Sequence, residues 1–251
     1  PGNVPDVATL VPAMDAAGVR FGPGSPERVV VVADKGLNAS ANIARCVLDG
    51  NGYVFSQSVR GADRELKSWV LSEEGYARNA EGTYKVKGRV GEKAVYVTGE
   101  DGRRRRVRVP VKQVAFWSRD FAERSRAERA KVVEKSLRAI ERGDAASAAA
   151  RSGVRYARDV PVVRETGEAA QHNWVLDEAA VEEDARYDGY YCIVSSEQDM
   201  ADGEVIDCYR GLWRIEESFR VVKGDLGARP VYCSTEPHMR AHFLVCFLAL
   251  L

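Results

Sequence analysis

Asp34 is the first residue whose type and position could carry chemistry. It ends an apolar run, Val29 to Ala33, of the kind that forms a buried parallel strand. Ligands and catalytic groups of α/β sheets lie at the carboxyl ends of such strands. A carboxylate there can equally cap the turn through Lys35 and Gly36, so a functional role and a structural role both stay open for Asp34 at this point.

Glu216 is the second such carboxylate, in a predicted helix from about Asp207 to Val222. At 100° per residue, one face of this helix is an apolar stripe of Leu212, Ile215, Phe219 and Val222. An adjacent stripe contains Tyr209, Trp213, Glu216, Arg220 and Lys223. Polar groups crowded beside the edge of a core favour a cleft, whereas a single helical Glu is more often simply solvated.

The elements that must position Asp34 read as a β-α-β unit over residues 28–59. Asn38 or Ser40 is a suitable N-cap for the helix, and the glycines of Gly50-Asn51-Gly52 are suited to end it. Tyr53 to Val59 is the next predicted strand. A right-handed crossover within an α/β sheet is therefore expected.

The following segment predicts antiparallel structure instead. Short alternating strands between residues 61 and 119 surround a hairpin turn at Glu100-Asp101-Gly102. A charged helix is predicted from Asp120 to Arg151, and YYCIVSS from Tyr190 is a further strand. The expected organisation is a core over 1–60, a β-rich insertion with one charged helix over 61–190, and the rest of the core over 191–251.

Charge is unevenly distributed along a chain whose formal net charge is zero. Between Asp101 and Arg142 there are 14 Lys and Arg against 6 Asp and Glu, whereas Glu165 to Asp207 has 13 acidic residues and one Arg. The run from Arg103 to Arg106, continued by Arg108, is the best candidate for contact with a polyanion. One strand of a hairpin with solvated arginines is the alternative.

The composition predicts a globular protein of a reducing, cytoplasmic environment. The 5 cysteines are scattered without a C-x-x-C pair, which argues against a disulfide framework.

The apolar run from His242 to Leu251 is too short to cross a bilayer and is expected to be a buried helix. His238 and His242, near Cys233 and Cys246, lack a recognised zinc-binding spacing. Abrupt chain ends suggest a fragment.

The pattern around Glu216 resembles a known family. Tyr209 to Lys223 reads Y-R-x-L-W-x-I-E-x-x-F-R-x-x-K, and this resembles the signature helix of DDE transposases from bacterial insertion sequences. The strand that ends V-V-A-D-K-G at Asp34 resembles the segment with the second Asp of the family's Asp-Asp-Glu triad. Two further stretches, PGN-x-x-D at Pro1 to Asp6 and LGARPVY at Leu226 to Tyr232, also resemble this family. The resemblance is to the branch of the family that carries a Y-R-E-K signature.

The resemblance implies a ribonuclease-H-like mixed α/β sheet with a β-rich insertion before the C-terminal catalytic helix. Asp34 and Glu216 would then be catalytic, metal-binding carboxylates for two Mg²⁺ (or Mn²⁺) ions about 4 Å apart in the full-length protein. The partners would be transposon-end and target DNA, with homo-oligomers of the full-length protein and no membrane. DNA contacts are expected from six residues: Tyr209, Trp213, Arg220, Lys223, Arg104 and Arg106.

Two departures from the family pattern qualify this expectation. The signature Arg corresponds to position 212, which is Leu here, and Arg220 is the nearest replacement. The family's first Asp is expected on a strand before the PGN segment, and Asp6 follows that segment. This stretch by itself is therefore expected to be inactive.

A non-catalytic DNA-binding or assembly remnant of a transposase is the alternative function. A third possibility, an unrelated α/β protein with a response-regulator-like Asp34, would leave Glu216 unexplained.

Overall fold

The computed structural model describes residues 8–16, 28–98, 102–146, 154–162, 171–228 and 231–250. The predicted PGN segment with Asp6, and Glu100 and Asp101 of the predicted hairpin turn, lie outside these ranges. The elements are α1 Leu10–Ala16, β1 Val30–Ala33, α2 Ser40–Leu48, β2 Gly52–Gln57, α3 Arg64–Leu71, β3 Ala77–Arg78, β4 Tyr84–Thr98, β5 Arg104–Ser118, α4 Arg119–Glu141, β6 Ala157–Val162, β7 Gln171–Leu176, α5 Glu178–Ala185, β8 Tyr190–Ser195, α6 Asp202–Arg210, α7 Leu212–Lys223 and α8 Glu236–Leu250.

A six-stranded mixed sheet has the order β1-β2-β8-β5-β4-β3. Strands β1 and β2 are parallel, with Val30 opposite Gly52 and Ala33 opposite Phe55, whereas β3 and β4 are antiparallel. Strands β6 and β7 form a separate antiparallel pair. The mixed α/β class is thus confirmed, and its ribonuclease-H-like form stays a prediction. Strands β4 and β5, which the sequence assigns to an insertion, belong to the same sheet as β1.

The predicted β-α-β unit is present, with one correction at its helix. Helix α2 has Ala39 as its N-cap and no side-chain capping bond. Neither Asn38 nor Ser40 caps it, and the amide of Asn38 instead donates to the carbonyl of Ser56 at 2.8 Å. The helix ends where predicted, because Gly50 has a φ of 73° that residues other than glycine rarely adopt.

The chain divides into two compact units. The first contains residues 1–56, 90–112 and 193–251, and its described core includes Ile43, Cys46, Tyr53, Phe55, Val95, Val111 and Val194. The second contains residues 57–89 and 113–192, with Val59, Leu66, Val70, Ala115, Tyr187 and Cys192 in its main core. The domain boundaries predicted at 60 and 190 stay a prediction.

The charged helix α4 begins close to its predicted start and ends earlier than expected. The hydroxyl of Ser118 accepts a bond from the backbone N–H of Phe121 at 3.3 Å and caps the helix. The helix ends at Glu141 rather than at Arg151, because Gly143 turns the backbone with a φ of 71°. Strand β7 was missed, since its six residues show no simple alternation.

The helix predicted around Glu216 is two helices, α6 and α7, separated at Gly211. Val205 and Ile206 of α6 are buried, whereas α7 has no buried residue. Ile215 and Phe219, from the stripe expected to face the core, are 53% and 56% exposed. The predicted apolar stripe of α7 is therefore not covered by the described part of the chain.

Helix α8 also differs from its prediction as a buried helix. Cys246 is its one buried residue. Large apolar side chains of α8 are exposed, namely Met239, Phe243, Leu244, Val245, Phe247, Leu248 and Leu250. No helix in the described ranges is both long and apolar enough to cross a membrane.

All five cysteines are free thiols, as the absence of a disulfide pattern predicted.

Candidate active site

Asp34 follows the last residue of β1, at the carboxyl end of the parallel pair β1–β2. Its side chain is exposed, and Oδ1 accepts a hydrogen bond from the backbone N–H of Gly36 at 3.0 Å. The N–H of Leu37 donates to the carbonyl of Asp34 at 3.2 Å. Asp34 thus caps its turn through one carboxylate oxygen, as the structural alternative expected. This role is compatible with ligand binding, because a carboxylate has a second oxygen.

Asn38 and Lys93 stand at the same end of the strands. Because Ala33 pairs with Phe55, the next residues, Asp34 and Ser56, are side by side at the carboxyl ends of β1 and β2. The amide of Asn38 donates to the Ser56 carbonyl at 2.8 Å, and its oxygen accepts a bond from Lys93 Nζ at 3.1 Å. Sequence reasoning missed Lys93, since no local pattern indicates that β4 reaches this turn.

Glu216 lies on the exposed surface of α7. Helix α7 packs against α6 and α8, and α6 packs against β1. Tyr209, near the end of α6, is partly buried and precedes the Gly211 break, whereas Glu216 follows it. The joint role of Asp34 and Glu216 as metal-binding carboxylates stays a prediction.

The chemistry of Asp34 and Glu216 suits a hard divalent cation, because Mg²⁺ prefers carboxylate oxygens and water. The resemblance to DDE transposases likewise implies a divalent metal ion at these two residues. However, the described residues contain no group of three or more His, Cys, Asp or Glu side chains that could hold an ion. The two carboxylates are therefore suitable donors, and they do not form a complete metal centre by themselves.

The cations of α7 are already engaged with neighbours on the helix. Arg220 forms a two-pronged ion pair with Glu217, with Nε–Oε2 and Nη2–Oε1 distances of 2.9 and 2.5 Å. This hydrogen bonding raises the pKa of Arg220 and lowers that of Glu217. Lys223 Nζ lies 5.4 Å from the ring centroid of Phe219. Because these contacts are exposed and weak, a DNA phosphate can compete for both cations.

Trp213 is 59% exposed on the same helix. The guanidinium carbon of Arg214 lies 6.0 Å from its ring centroid. An exposed indole ring is available for stacking on a base, which is worth about 1–3 kcal/mol per base in single-strand binding. The structure thus leaves the predicted role of Trp213 open and argues against a place in the core.

The arginine run begins β5, where residues 104–108 are all exposed. Alternation along a strand places Arg104, Arg106 and Arg108 on one face. The guanidinium of Arg104 lies 4.8 Å from the ring centroid of Tyr96, and Arg108 pairs with Glu92 at 3.2 Å. This face carries exposed positive charge that suits a phosphate backbone.

The histidines of α8, His238 and His242, lack a recognised zinc-binding spacing, and His242 has another contact in the described residues. His242 stacks edge-on against Phe243, with ring centroids 5.8 Å apart. Cys246 Sγ donates to the carbonyl of Leu226 at 3.5 Å. No cluster of metal-binding side chains includes His238 or His242 in the part of the chain that the structure covers.

Comparison with known proteins gives the family. A model described as the transposase DDE domain matches residues 1–251. No curated protein matches the chain. The match extends over the strand that ends at Asp34 and the helix that carries Glu216, the two places where the sequence resembles the family signature. The chain therefore belongs to the transposase DDE domain family.

Proposed function

We propose that this chain is the catalytic domain of an insertion-sequence transposase that nicks transposon-end DNA and transfers the cut strand to target DNA. The observation that carries the proposal is the place of Asp34. It stands at the carboxyl end of a parallel strand pair in a chain of the transposase DDE domain family. The activity is proposed for the protein encoded by the whole reading frame that contains this chain, acting as a homo-oligomer.

Asp34 and Glu216 are proposed to supply carboxylate oxygens to divalent cations, with Mg²⁺ or Mn²⁺ as the ion. A bound cation of this kind stabilises charge on the attacking and leaving oxygens of a phosphodiester. The exposure of both side chains supports the proposal, since neither carboxylate is committed to a buried ion pair. The ribonuclease-H-like form of the sheet belongs to the same proposal.

The DNA is proposed to lie along two basic surfaces. Arg220 and Lys223 of α7 contact phosphates near Glu216, with Tyr209 and Trp213 beside them. Arg104 and Arg106 contact phosphates along the exposed face of β5. Phosphate contacts of this kind position DNA without reading its sequence.

A second candidate is a DNA-binding or assembly domain without catalysis. The observation in its favour is that the described residues hold no group of three or more metal-binding side chains. In that case the basic surfaces would keep their affinity for DNA, and the two carboxylates would have no role in cleavage.

Cleavage of a supercoiled plasmid that carries the transposon end separates the two candidates. The protein from the whole reading frame is expected to nick it with Mg²⁺ and not with EDTA. Asp34→Asn and Glu216→Gln are each expected to reduce nicking by at least about 10²-fold, because misplaced reacting groups already cost this much. Asp207→Asn, an exposed carboxylate on α6, is the control and is expected to nick normally. Normal nicking by Asp34→Asn would refute the catalytic proposal.

A further inference from the structure

The turn that carries Asp34 is held by a residue of the helix that follows it. Asn42 lies in the first turn of α2 and is only 2% exposed. Its side-chain Nδ2 donates to the backbone carbonyl of Leu37 at 2.8 Å. A buried amide is costly to leave without its partner, so this bond restricts where the Leu37 carbonyl can lie.

Helix α2 is a firm anchor for this bond. Ile43 and Cys46 of α2 are fully buried in the core of the first compact unit, and the partly buried side chain of Leu37 packs against the same core. Protein cores are close-packed and resist small displacements. A shift of the turn relative to α2 would therefore both stretch the Asn42 bond and disturb the packing of Leu37.

Two further bonds connect Leu37 to Asp34. The N–H of Leu37 donates to the Asp34 carbonyl at 3.2 Å, and the N–H of Gly36 donates to Asp34 Oδ1 at 3.0 Å. The first bond holds the main chain of Asp34, and the second holds one oxygen of its carboxylate. The contacts thus form a series from α2 through Asn42 and Leu37 to an exposed carboxylate.

Such a restraint matters more for a metal ligand than for a carboxylate that only caps a turn. Capping requires the local bond to Gly36 and no support from α2. A divalent ion such as Mg²⁺, by contrast, demands near-ideal ligand geometry. Removing groups that orient a ligand typically lowers metal affinity by about 10–100-fold.

We propose that Asn42 is a positioning residue for Asp34 and holds the turn so that the second carboxylate oxygen is available to a divalent cation. The inference rests on the proposed function, since it takes Asp34 to be a metal ligand. It adds to that function a buried residue of α2 that acts through Leu37. The stretches that resemble the family, V-V-A-D-K-G and Tyr209 to Lys223, do not contain Asn42.

The test is binding of Mn²⁺ to the protein from the whole reading frame, titrated by calorimetry without DNA. Asp34→Asn identifies the relevant site, because the binding that this variant weakens is the binding at Asp34. Asn42→Ala is expected to weaken the same binding by about 10-fold or more. In the nicking assay it is expected to raise the Mg²⁺ concentration for half-maximal rate by a similar factor.

Asn51→Ala is the matched control. Asn51 is 5% exposed, and its Oδ1 accepts a bond from the backbone N–H of Val29 at 3.2 Å. Both residues precede their strands, so this contact lies at the amino end of the β1–β2 pair, opposite to Asp34. Asn51→Ala is expected to lower the urea midpoint about as much as Asn42→Ala does, and to leave Mn²⁺ binding unchanged.

Unchanged Mn²⁺ affinity in folded Asn42→Ala overturns the inference. An equal loss of affinity in Asn42→Ala and Asn51→Ala also overturns it, because the effect is then one of general stability. Asn42→Leu provides a second variant that fills the buried space and lacks the amide. It is expected to weaken Mn²⁺ binding as Asn42→Ala does, and wild-type affinity in Asn42→Leu would contradict the role of the Asn42 bond.

Failure of this inference can be told from failure of the proposed function. If Asp34→Asn leaves Mn²⁺ affinity unchanged, the proposed metal-binding role of Asp34 is refuted, and the role of Asn42 with it. If Asp34→Asn weakens Mn²⁺ binding and Asn42→Ala does not, only the role of Asn42 is refuted.

Discussion

Replacement of Asp188 by Asn is expected to destabilise the second compact unit strongly. The Asp188 side chain is 9% exposed and forms an ion pair with Arg129, which is 11% exposed. Arg60 approaches the same carboxylate at 3.7 Å. In addition, Trp117 Nε1 donates to the Asp188 backbone carbonyl at 3.0 Å. The substitution Asp188→Asn preserves the shape of the side chain and removes only its negative charge.

The magnitude follows from the burial of this pair. Removing one partner of a buried ion pair costs about 3–5 kcal/mol, because the other charge is left without compensation. The Asn oxygen can still accept a bond from Arg129, and Arg60 is 37% exposed and so partly solvated. Both effects reduce the loss, and a decrease of about 2–4 kcal/mol in the free energy of unfolding is expected.

Urea unfolding followed by near-ultraviolet circular dichroism measures this loss. Asp207→Asn is the matched control, because its partner Arg210 at 3.6 Å and Asp207 itself are 56% and 77% exposed. Such an exposed pair contributes at most about 1 kcal/mol. Adding Arg129→Met to Asp188→Asn is expected to restore part of the stability, since it removes the uncompensated cation. Equal midpoint shifts for Asp188→Asn and Asp207→Asn would refute the reasoning.

Three further outcomes are expected. Arg104→Gln with Arg106→Gln should flatten the salt dependence of DNA binding by about 0.9 per lost phosphate contact, measured by titration at several salt concentrations. Arg28 lowers the pKa of Glu197 by hydrogen bonding, so the stability from this pair is present above the ordinary carboxyl pKa and lost as pH falls below it. Arg28→Gln should therefore reduce the acid dependence of the urea midpoint. Gly189→Ala should destabilise the protein, because Gly189 has a φ of 83° and its added methyl group would collide with Trp117.

Two of these outcomes have a control variant on the same chain, and the third has a result that would exclude it. Arg124→Gln with Arg126→Gln removes two exposed arginines of α4, and an equal change in slope there would assign the effect to net charge. Gly203→Ala adds a methyl group that meets no described atom within 4 Å apart from its chain neighbours and the backbone of its own helix, and it should leave the urea midpoint nearly unchanged. An acid dependence that is identical in Arg28→Gln and wild type would exclude the assigned role of Arg28.

The sequence alone determined the features that depend on neighbouring residues. The apolar run before Asp34 predicted β1, and Gly50 predicted the end of α2, because buried strands and left-handed turns select residue types locally. The mixed α/β class and the transposase DDE family were likewise accessible from local patterns around Asp34 and Glu216. The family match over residues 1–251 agrees with that interpretation.

Only the tertiary structure decided how these elements meet. The break at Gly211 is not evident from periodicity, since the apolar spacing continues through it. The exposure of α7 and α8 could not be predicted either, because an apolar stripe shows that a face can be buried and not what covers it. Helix α4 also ends ten residues before its predicted end at Arg151, at Glu141.

Two contacts also could not be predicted from the sequence: the hydrogen bond of Lys93 to Asn38 and the ion pair of Arg129 with Asp188. The members of each pair are 55 and 59 residues apart in the chain. Periodicity and turn signals report the preferences of a few consecutive residues, whereas these contacts depend on the pairing order of the whole sheet. The sequence by itself therefore indicated which carboxylates to consider, and only the fold brought Lys93 to Asn38 and Arg129 to Asp188.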